Sequence, residues 1–320
     1  MTSMALSLPH LTDYDSFHVW RADPSQWLPV VHDIARSHRL ACTAPQLFAT
    51  GTNLVVALDE GLILKIFPPM LRHQFVSERG ALTVLRGRLS VPIPEIVAEG
   101  ERDGWPSLVI TRLAGVLGKE AWRSLPENQK EQVLKQVGET IAQVQRVPPG
   151  ALLDIEPRWD TFMQRQIAGC RARHQRLGLA QKYLDGLDDL LRAAVELIPM
   201  NAPRVILTGE YIPENFMLAR KADAWRLAGL IDFGDTQAGF GDYDLLGPSV
   251  FMAAGRPRRV RSLFEGFGYA RNDVDFALKR RLMALMVLHR FSDPVRHMCL
   301  EGWQDKAEDL VGLQEVIWPD

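Results

Sequence analysis

Two short polar segments, each next to an apolar strand, constrain this chain more than any other feature. The first, residues 208–215, reads TGEYIPEN, so that the carboxylate of Glu210 precedes the amide of Asn215 on one loop. The second, residues 229–235, reads GLIDFGD, an apolar run that reaches Asp232. Side-chain oxygens of this kind bind Mg²⁺, and a further carboxylate can accept a proton. The spacing therefore predicts a phosphoryl-transfer site, where positioning and charge neutralisation provide most of the catalysis.

Kinases combine a catalytic loop of the form H-[RG]-D-x-x-x-x-N with a D-F-G-like segment. The two segments here resemble those of the aminoglycoside phosphotransferase family, which has H-G-D-x-x-x-x-N followed by I-D-[FWY]-x-[DE]. The chain departs from the family at Thr208, where the family has His, and at Glu210, where it has the catalytic Asp. The matching positions are Gly209, Asn215, Ile231, Asp232, Phe233 and Asp235. The resemblance runs from about residue 12 to about residue 300, and the Leu-His-x-Phe run at 288–291 is most similar to the hygromycin 7″-type phosphotransferases.

The resemblance implies an α+β, bilobal protein-kinase-like fold. Residues 1–113 are expected to form a nucleotide-binding lobe with an antiparallel sheet and a helix. Residues 114–320 are expected to form a larger, mainly helical lobe that carries the catalytic and substrate-binding residues. The implied cofactors are ATP and Mg²⁺, and the implied reaction moves the γ-phosphate of ATP to a hydroxyl group of a small molecule.

Two apolar runs, 54–58 and 62–67, flank a short polar turn and predict a β-hairpin. Lys65 is the one charge in the second run, where a lysine can also extend along the sheet surface to water. The resemblance implies instead that Lys65 holds the α- and β-phosphates of ATP. Glu78 shares the inward face of a predicted helix with two leucines, and an inward carboxylate needs a partner. The resemblance implies that Glu78 pairs with Lys65; a solvated helix position is the alternative.

Other groups of the first lobe are also expected to contact the nucleotide. Thr52 and Asn53 follow a glycine in the turn that, by the resemblance, covers the phosphates. A later apolar strand and the glycine-containing linker after it resemble the hinge between kinase lobes. Backbone groups from Thr111 to Leu113 are therefore expected to bind the edge of adenine.

The resemblance also assigns roles to the second lobe's polar residues. Asn215 and Asp232 are expected to be Mg²⁺ ligands, and Glu210 is expected to orient the acceptor hydroxyl and accept its proton. Asp235 is expected to contact the metal, a water molecule or a cationic substrate. Asp244, shortly after, is expected to lock the catalytic loop and to have a structural role.

Glutamate at position 210 leaves three interpretations open. It has the charge of aspartate but is one methylene longer, and a misplacement of about 1 Å can cost about a hundredfold in rate. The expected function is a small-molecule kinase with a glutamate base. The alternatives are a nucleotide-binding pseudokinase that regulates a partner, and a metal-dependent transferase of another group.

Acidic residues guide the expectation for the acceptor. Asp235, Glu301, Asp305 and the final Asp320 are expected at the mouth of the second lobe, and an acidic lining suits polycationic amino sugars. Together with the hygromycin-like resemblance, this predicts an aminoglycoside-type acceptor and a role in antibiotic resistance. A metabolic amino alcohol is the alternative.

Helical patterns occupy much of the remaining chain. An amphipathic stretch at 27–34 predicts a lead-in helix, and residues 124–127 (SLPE) predict a capping box before a helix that extends to about 148. The stretches 157–198 and 274–291 are also helical in pattern. His289 is interpreted as a core histidine without a chemical role, a ligand being the alternative.

Composition argues against several other classes of protein. The net charge is −2 and there is no long basic run, so the positive charge typical of nucleic-acid-binding proteins is missing. The three cysteines lie far apart and match no disulfide or zinc pattern. No apolar run approaches about 18 residues, so that neither export nor membrane insertion is expected. Signatures of P-loop kinases, dinucleotide-binding dehydrogenases and serine hydrolases are missing. A cytoplasmic protein without nucleic-acid or membrane partners is predicted, and its oligomeric state is left open.

Overall fold

The computed structural model describes residues 7–49, 51–199 and 201–320, and these divide into two units. The first unit contains the described residues up to Arg86, together with Ile93–Leu113 and Asp232–Asp235. The second contains Gly87–Pro92, Ala114–Ile231 and Thr236–Asp320. Each unit therefore includes one short segment whose neighbours along the chain belong to the other unit. The assignment of nucleotide binding to residues 1–113 and of catalysis to residues 114–320 stays a prediction.

A five-stranded antiparallel sheet is the framework of the first unit. Its helices and strands are α1 (Tyr14–Ala22), α2 (Pro24–Ser37), β1 (Gln46–Leu47), β2 (Leu54–Ala57), β3 (Leu62–Ile66), α3 (Arg72–Leu85), β4 (Ile96–Arg102) and β5 (Trp105–Thr111). The strand order is β1-β2-β3-β5-β4. Lys65 on β3 faces Val55 on one side and Leu108 on the other, which places it on a central strand.

The two N-terminal helices pack against this sheet through aromatic side chains. Trp20 of α1 and Trp105 of β5 have ring centroids 4.9 Å apart, and Trp27 of α2 is buried in the same cluster. Truncating a buried tryptophan typically costs about 3–5 kcal/mol, so this cluster anchors the helices firmly. The lead-in helix predicted at 27–34 is confirmed as α2.

The second unit is mainly helical. Its helices and strands are β6 (Val116–Leu117), α4 (Gly118–Ala121), α5 (Glu127–Arg146), α6 (Trp159–Arg176), α7 (Gln181–Asp185), α8 (Leu187–Leu197), β7 (Val205–Leu207), β8 (Phe216–Lys221), β9 (Ala224–Leu230), β10 (Gln237–Gly239), α9 (Leu246–Pro248), α10 (Pro257–Phe267), α11 (Phe276–Leu288), α12 (Pro294–His297), α13 (Trp303–Lys306) and α14 (Leu310–Ile317). Its strands form a three-stranded sheet, β6-β8-β9, and a pair, β10-β7. This mixture of elements confirms the predicted α+β class.

The start of α5 differs from the predicted capping box. The residue before the helix is Pro126, in an extended conformation and without a side-chain cap. Ser124 instead donates its hydroxyl hydrogen to the carbonyl of Ala121, and the carboxylate of Glu127 accepts hydrogen bonds from Arg259 of α10. The prediction was wrong because a long-range ion pair uses the glutamate that a capping box needs.

Two connections of the second unit position the predicted catalytic loop. Residues 208–212 follow β7, and a short 3₁₀ turn, Pro213–Asn215, leads directly into β8. The β8-β9 hairpin then returns the chain, so that the N–H of Ile231 donates to the carbonyl of Asn215 at 2.9 Å. Within the described ranges, no helix has both the length and the apolar character needed to cross a membrane. A cytoplasmic location stays a prediction.

Candidate active site

Lys65 is a buried charge at the centre of the first unit's sheet. Its Nζ donates a hydrogen bond to Oε2 of Glu78 on α3 at 2.5 Å and another to Oδ1 of Asp232 at 3.2 Å. Burial by itself lowers the pKa of Lys65, but the carboxylates of Asp232 and Glu78 outweigh burial and hold this pKa above its ordinary value. The side chain is therefore an ammonium group held between two carboxylates.

Glu78 is the fully buried partner of this lysine, with 0% of its surface exposed. Burial raises the pKa of Glu78, whereas the ammonium group of Lys65 lowers it. Oε2 accepts the hydrogen bond from Lys65, and Oε1 is buried without a hydrogen-bond partner among the residues described. Glu78 is not the solvated helix residue that the sequence left as an alternative.

Asp232 begins this turn in an uncommon backbone conformation. Its φ angle of 64° lies in the left-handed region, which aspartate adopts more readily than most residues. Oδ1 contacts Lys65 and accepts a hydrogen bond from the N–H of Gly234, while Oδ2 makes no hydrogen bond within the described part of the chain. The side chain is 44% exposed. A strained residue with an exposed carboxylate is a common feature of functional sites. Asp235, the predicted substrate contact, ends the turn and is partly exposed.

The turn that is predicted to cover the phosphates is held by polar contacts. Oε1 of Gln74 accepts hydrogen bonds from the hydroxyl of Thr52 at 3.1 Å and from Nδ2 of Asn53 at 2.8 Å. From α1, Tyr14 donates to the carbonyl of Thr52, and the guanidinium of Arg21 donates to two further carbonyls of this loop. The sequence did not identify Gln74, Tyr14 or Arg21. The one available signal was that Gln74 lies one helical turn before Glu78, on the same face of α3.

Backbone groups at the predicted hinge differ in what they can still bind. The N–H of Thr111 donates to the carbonyl of Glu95, and the N–H of Arg112 donates to the carbonyl of Gly61. In contrast, the N–H of Leu113 makes no backbone hydrogen bond among the residues described. Leu113 can therefore donate to a ligand, whereas Thr111 can offer only its carbonyl.

Asp244 holds the catalytic loop of the second unit. Its carboxylate is buried and accepts hydrogen bonds from the backbone N–H groups of Thr208 at 3.1 Å and Gly209 at 3.0 Å. Burial raises the pKa of Asp244 to about 7, although these two hydrogen bonds lower it. Gly209 has a φ of 83°, a conformation that suits glycine. The geometry agrees with the structural role expected for Asp244.

Glu210 and Asn215 are linked at the two ends of this loop. Nδ2 of Asn215 donates to the backbone carbonyl of Glu210 at 3.0 Å, and the asparagine is 6% exposed. This bond orients the amide so that its oxygen, Oδ1, is left for another partner. The side chain of Glu210 is partly exposed. The predicted base and one predicted metal ligand therefore belong to one rigid loop.

A cavity of about 360 Å³ opens beside Glu210 within the second unit. The catalytic loop forms one wall, and the segments around Val250, Met286 and Phe291 form the others. The expected acidic lining is wrong in part, since Glu301, Asp305 and Asp320 do not line this cavity. Asp320 instead accepts a hydrogen bond from Lys279 at 2.8 Å. This arrangement depends on how the C-terminus packs against α11, which no local sequence pattern reports.

His289, at the end of α11, also lines this cavity. Its ring stacks on that of Tyr243, with centroids 4.5 Å apart, and its Nδ1 accepts a hydrogen bond from the N–H of Phe291 at 3.2 Å. Burial, together with the nearby charge of Arg290, lowers the pKa of His289, so the ring is neutral near pH 7. The histidine is therefore a neutral side chain packed against Tyr243.

The available oxygen atoms fit a magnesium ion. Asp232 has a carboxylate oxygen without a hydrogen bond, and Asn215 has an amide oxygen oriented by the loop. Among the residues described, no cluster of three or more His, Cys, Asp or Glu side chains could hold a metal ion. Mg²⁺ usually takes only one or two protein carboxylates or equivalent oxygens and fills its shell with phosphates and water. Asp232 in the first unit and Asn215 in the second each offer one oxygen of this kind, and their joint role as metal ligands stays a prediction.

Solved structures with a similar fold are phosphotransferases. The wild-type aminoglycoside 2'-phosphotransferase-IIIa, in its GDP complex, is 17% identical, covers 81% of this chain and 89% of its own, and has a TM-score of 0.66. The streptomycin–ATP complex of APH(2")-IIa is 13% identical over 81% of this chain and 89% of its own, with a TM-score of 0.58. The macrolide 2'-phosphotransferase MphH from Brachybacterium faecium is 17% identical over 81% of this chain and 90% of its own, with a TM-score of 0.54. These similarities confirm the predicted fold.

The family is established by a separate comparison. The model of the phosphotransferase enzyme family, APH, matches residues 48–280, which is most of the chain. No curated protein matches the chain. The predicted similarity to the hygromycin 7″-type enzymes stays a prediction, because the family model does not separate subfamilies. The prediction of a small-molecule phosphotransferase is confirmed at the level of the family. The chain belongs to the phosphotransferase enzyme family.

Proposed function

We propose that the chain transfers the γ-phosphoryl group of ATP to a hydroxyl group of a small molecule in an Mg²⁺-dependent reaction. The observation that carries the proposal is the contact of Lys65 with both Glu78 and Asp232. A buried lysine held by one carboxylate and touching a second, exposed one is suited to binding a phosphate beside a metal. An inactive protein has no need of this arrangement.

Each chemical task of the transfer is assigned to a residue in this proposal. Lys65 binds phosphate oxygens, and Glu78 keeps it in position. Thr52 and Asn53 cover the phosphates, and Thr111 and Leu113 bind the adenine edge through their backbone. When bound at Asp232 and Asn215, Mg²⁺ neutralises charge on the phosphates.

Glu210 is the proposed general base of the transfer. The acceptor oxygen forms a bond to the γ-phosphorus, and its proton passes to the carboxylate of Glu210. The bond from that phosphorus to the bridging oxygen breaks, and its electron pair leaves with ADP. The hydrogen bonds from Thr208 and Gly209 to Asp244 keep the loop that carries the base from moving during this step.

The acceptor is the open part of the proposal. An aminoglycoside-type hydroxyl was expected from the sequence, with a metabolic amino alcohol as the alternative, and Asp235 was expected to contact it. Two of the similar structures carry aminoglycoside names and one a macrolide name. The C-terminal carboxylates that favoured a polycation do not line the cavity beside Glu210. The proposal is therefore stated for a small-molecule alcohol.

The test is a transfer assay with ATP labelled in its γ-phosphate and a panel of alcohols. We expect a product that is heavier by one phosphoryl group, formed with Mg²⁺ and lost when EDTA removes the metal. GTP in place of ATP measures the nucleotide preference. Tight ATP binding without any labelled product would contradict the proposal and favour the pseudokinase alternative. A product of another mass would favour transfer of a different group.

A further inference from the structure

The cavity beside Glu210 is walled mainly by apolar side chains. They come from the segment after Asp244, from the end of α11 and from the loop that leads to α12: Leu246, Val250, Phe251, Met286, Phe291 and Met298. Leu246, Val250 and Met286 are buried, so they form a fixed floor rather than a flexible rim. At about 360 Å³ the cavity is within the usual range for sites that bind small molecules, about 300–1,000 Å³.

Two carboxylates in the lining, apart from Glu210, already have cationic partners. Glu214 lies 3.7 Å from the ammonium group of Lys119. Asp293 accepts a hydrogen bond from the N–H of Arg296 at 3.1 Å, and its other oxygen lies 3.8 Å from the guanidinium of the same residue. A ligand with several ammonium groups would lose the hydration of those groups on entering the cavity. The lining offers too few carboxylates to compensate for this loss, so binding of such a ligand would cost free energy.

Ser292 provides one polar anchor in the lining. The residue is 8% exposed, and its hydroxyl oxygen makes no hydrogen bond with any residue described. Buried hydroxyl groups are normally satisfied, so an unpaired one in a cavity wall indicates a position for a polar group of a ligand. This hydroxyl can donate or accept.

We propose that the acceptor is an amphiphilic alcohol with a largely apolar body and at most one ammonium group. Its apolar face contacts Leu246, Val250 and Met286, a polar group binds Ser292, and the reacting hydroxyl lies at Glu210. This inference rests on the proposed function, because it describes the acceptor of that same reaction.

The first test compares methyl glucoside with octyl glucoside, which have the same hydroxyl groups and differ only in the apolar chain. Octyl glucoside is used below its critical micelle concentration. A second pair, a macrolide and kanamycin, compares a largely apolar acceptor with a polycationic one. We expect kcat/KM for octyl glucoside to exceed that for methyl glucoside at least about tenfold, since each buried methylene favours binding. The macrolide should also be a better acceptor than kanamycin.

Failure of this inference can be distinguished from failure of the proposed function. A higher kcat/KM for kanamycin than for the macrolide and octyl glucoside would overturn the apolar acceptor and leave the phosphotransferase intact. An equal kcat/KM for the two glucosides would overturn it as well. If no alcohol on the panel is phosphorylated and no ADP forms, the proposed function fails, and this inference fails with it.

A charge substitution at the cavity wall gives an independent test. Phe291 is 47% exposed, so Phe291→Asp should fold normally while it adds a carboxylate beside the apolar floor. We expect kcat/KM for octyl glucoside to fall at least about tenfold and that for kanamycin to rise. Phe276→Asp is the matched control, because Phe276 is 59% exposed at the start of α11 and does not line the cavity. An equal effect of the two substitutions on octyl glucoside would overturn the proposal.

Discussion

The ammonium group of Lys65 and the carboxylate of Glu78 form an ion pair at 2.5 Å, in which the side chains are only 8% and 1% exposed. Two charges removed from water in this way have lost most of their hydration. Their attraction offsets that loss only while both partners are present. The pair therefore fixes the position of the lysine within the folded first unit.

Breaking this pair from either side should be costly. Lys65→Met or Glu78→Gln alone removes one charge of the pair and leaves the other charge buried without it. We expect each substitution to lower the free energy of unfolding by about 3–5 kcal/mol. The double variant should lose clearly less than the sum of the two. Urea unfolding of all four proteins measures this coupling. Strictly additive losses would show that the two charges do not depend on each other.

Asp232→Asn should lower Mg²⁺-dependent turnover by about two to three orders of magnitude, because the amide no longer neutralises metal charge. The fold should be retained, since the side chain is 44% exposed. Asp223→Asn, an exposed position in the turn between β8 and β9, is the matched control. Initial rates across a range of Mg²⁺ concentrations provide the measurement. Near-normal kcat in Asp232→Asn would rule out the proposed metal role.

The N–H of Leu113 is the proposed hinge donor to the nucleotide. Leu113→Pro removes this N–H and should weaken ATP binding about tenfold, the effect of one lost hydrogen bond. Leu113→Ala keeps the N–H and should bind ATP nearly as the native protein does. Calorimetric titration with Mg²⁺ and ATP compares the two. Equal affinities would show that the nucleotide does not use this group.

The raised pKa of Asp244 predicts a specific pH dependence of stability. Its ordinary value is about 3.9, and in the folded protein it is about 7. Between these values the folded state holds a proton that the unfolded state has lost, so the contribution of Asp244 to stability falls as pH rises and is constant above about pH 7. Asp244→Asn cannot titrate.

The stability difference between native protein and Asp244→Asn should therefore shift against the native protein by about 3 kcal/mol from pH 4 to pH 7. Chemical unfolding of both proteins at several pH values measures this difference. The titration of all other groups cancels because it is the same in the two proteins. Asn also replaces one acceptor oxygen by a donor, so the variant should lose one loop hydrogen bond at every pH. A difference that does not change with pH would contradict the raised pKa.

Local patterns of the sequence predicted the hairpin of β2 and β3 and the helix α3, whereas the antiparallel sheet was expected from the family resemblance. The period of apolar residues in each element is enough to determine its type and its buried face. An inward-facing carboxylate on a helix needs a partner, and the family resemblance indicated Lys65 as the partner of Glu78. The structural role expected for Asp244 also came from the resemblance.

Contacts between distant segments could not be predicted in this way. Gln74 and Arg21 hold the turn at 51–53 from other elements, and apart from the position of Gln74 one helical turn before Glu78, no local pattern indicates these contacts. The capping box at 124–127 failed because Arg259, far along the chain, takes the carboxylate of Glu127. The position of Asp320 depends on a contact of the same kind, since its side chain accepts a hydrogen bond from Lys279.

Glu210 is the residue on which the proposed chemistry depends. Glu210→Gln cannot accept the hydroxyl proton, and loss of a general base typically costs about 10²–10⁴-fold in rate. ATP binding should be unchanged, because the proposed nucleotide contacts lie elsewhere. Glu210→Asp should also be slower than the native protein, because the shorter side chain would place the carboxylate too far from the hydroxyl.

The most direct measurement is the rate at which the γ-phosphate label of ATP appears on the best acceptor, compared among the native protein, Glu210→Gln and Glu210→Asp. The account predicts rapid, Mg²⁺-dependent labelling by the native protein, a loss of about 10²–10⁴-fold in Glu210→Gln, and a lower rate in Glu210→Asp at unchanged ATP affinity. A native protein that labels no acceptor, or a clear rise in kcat for Glu210→Asp, would contradict it.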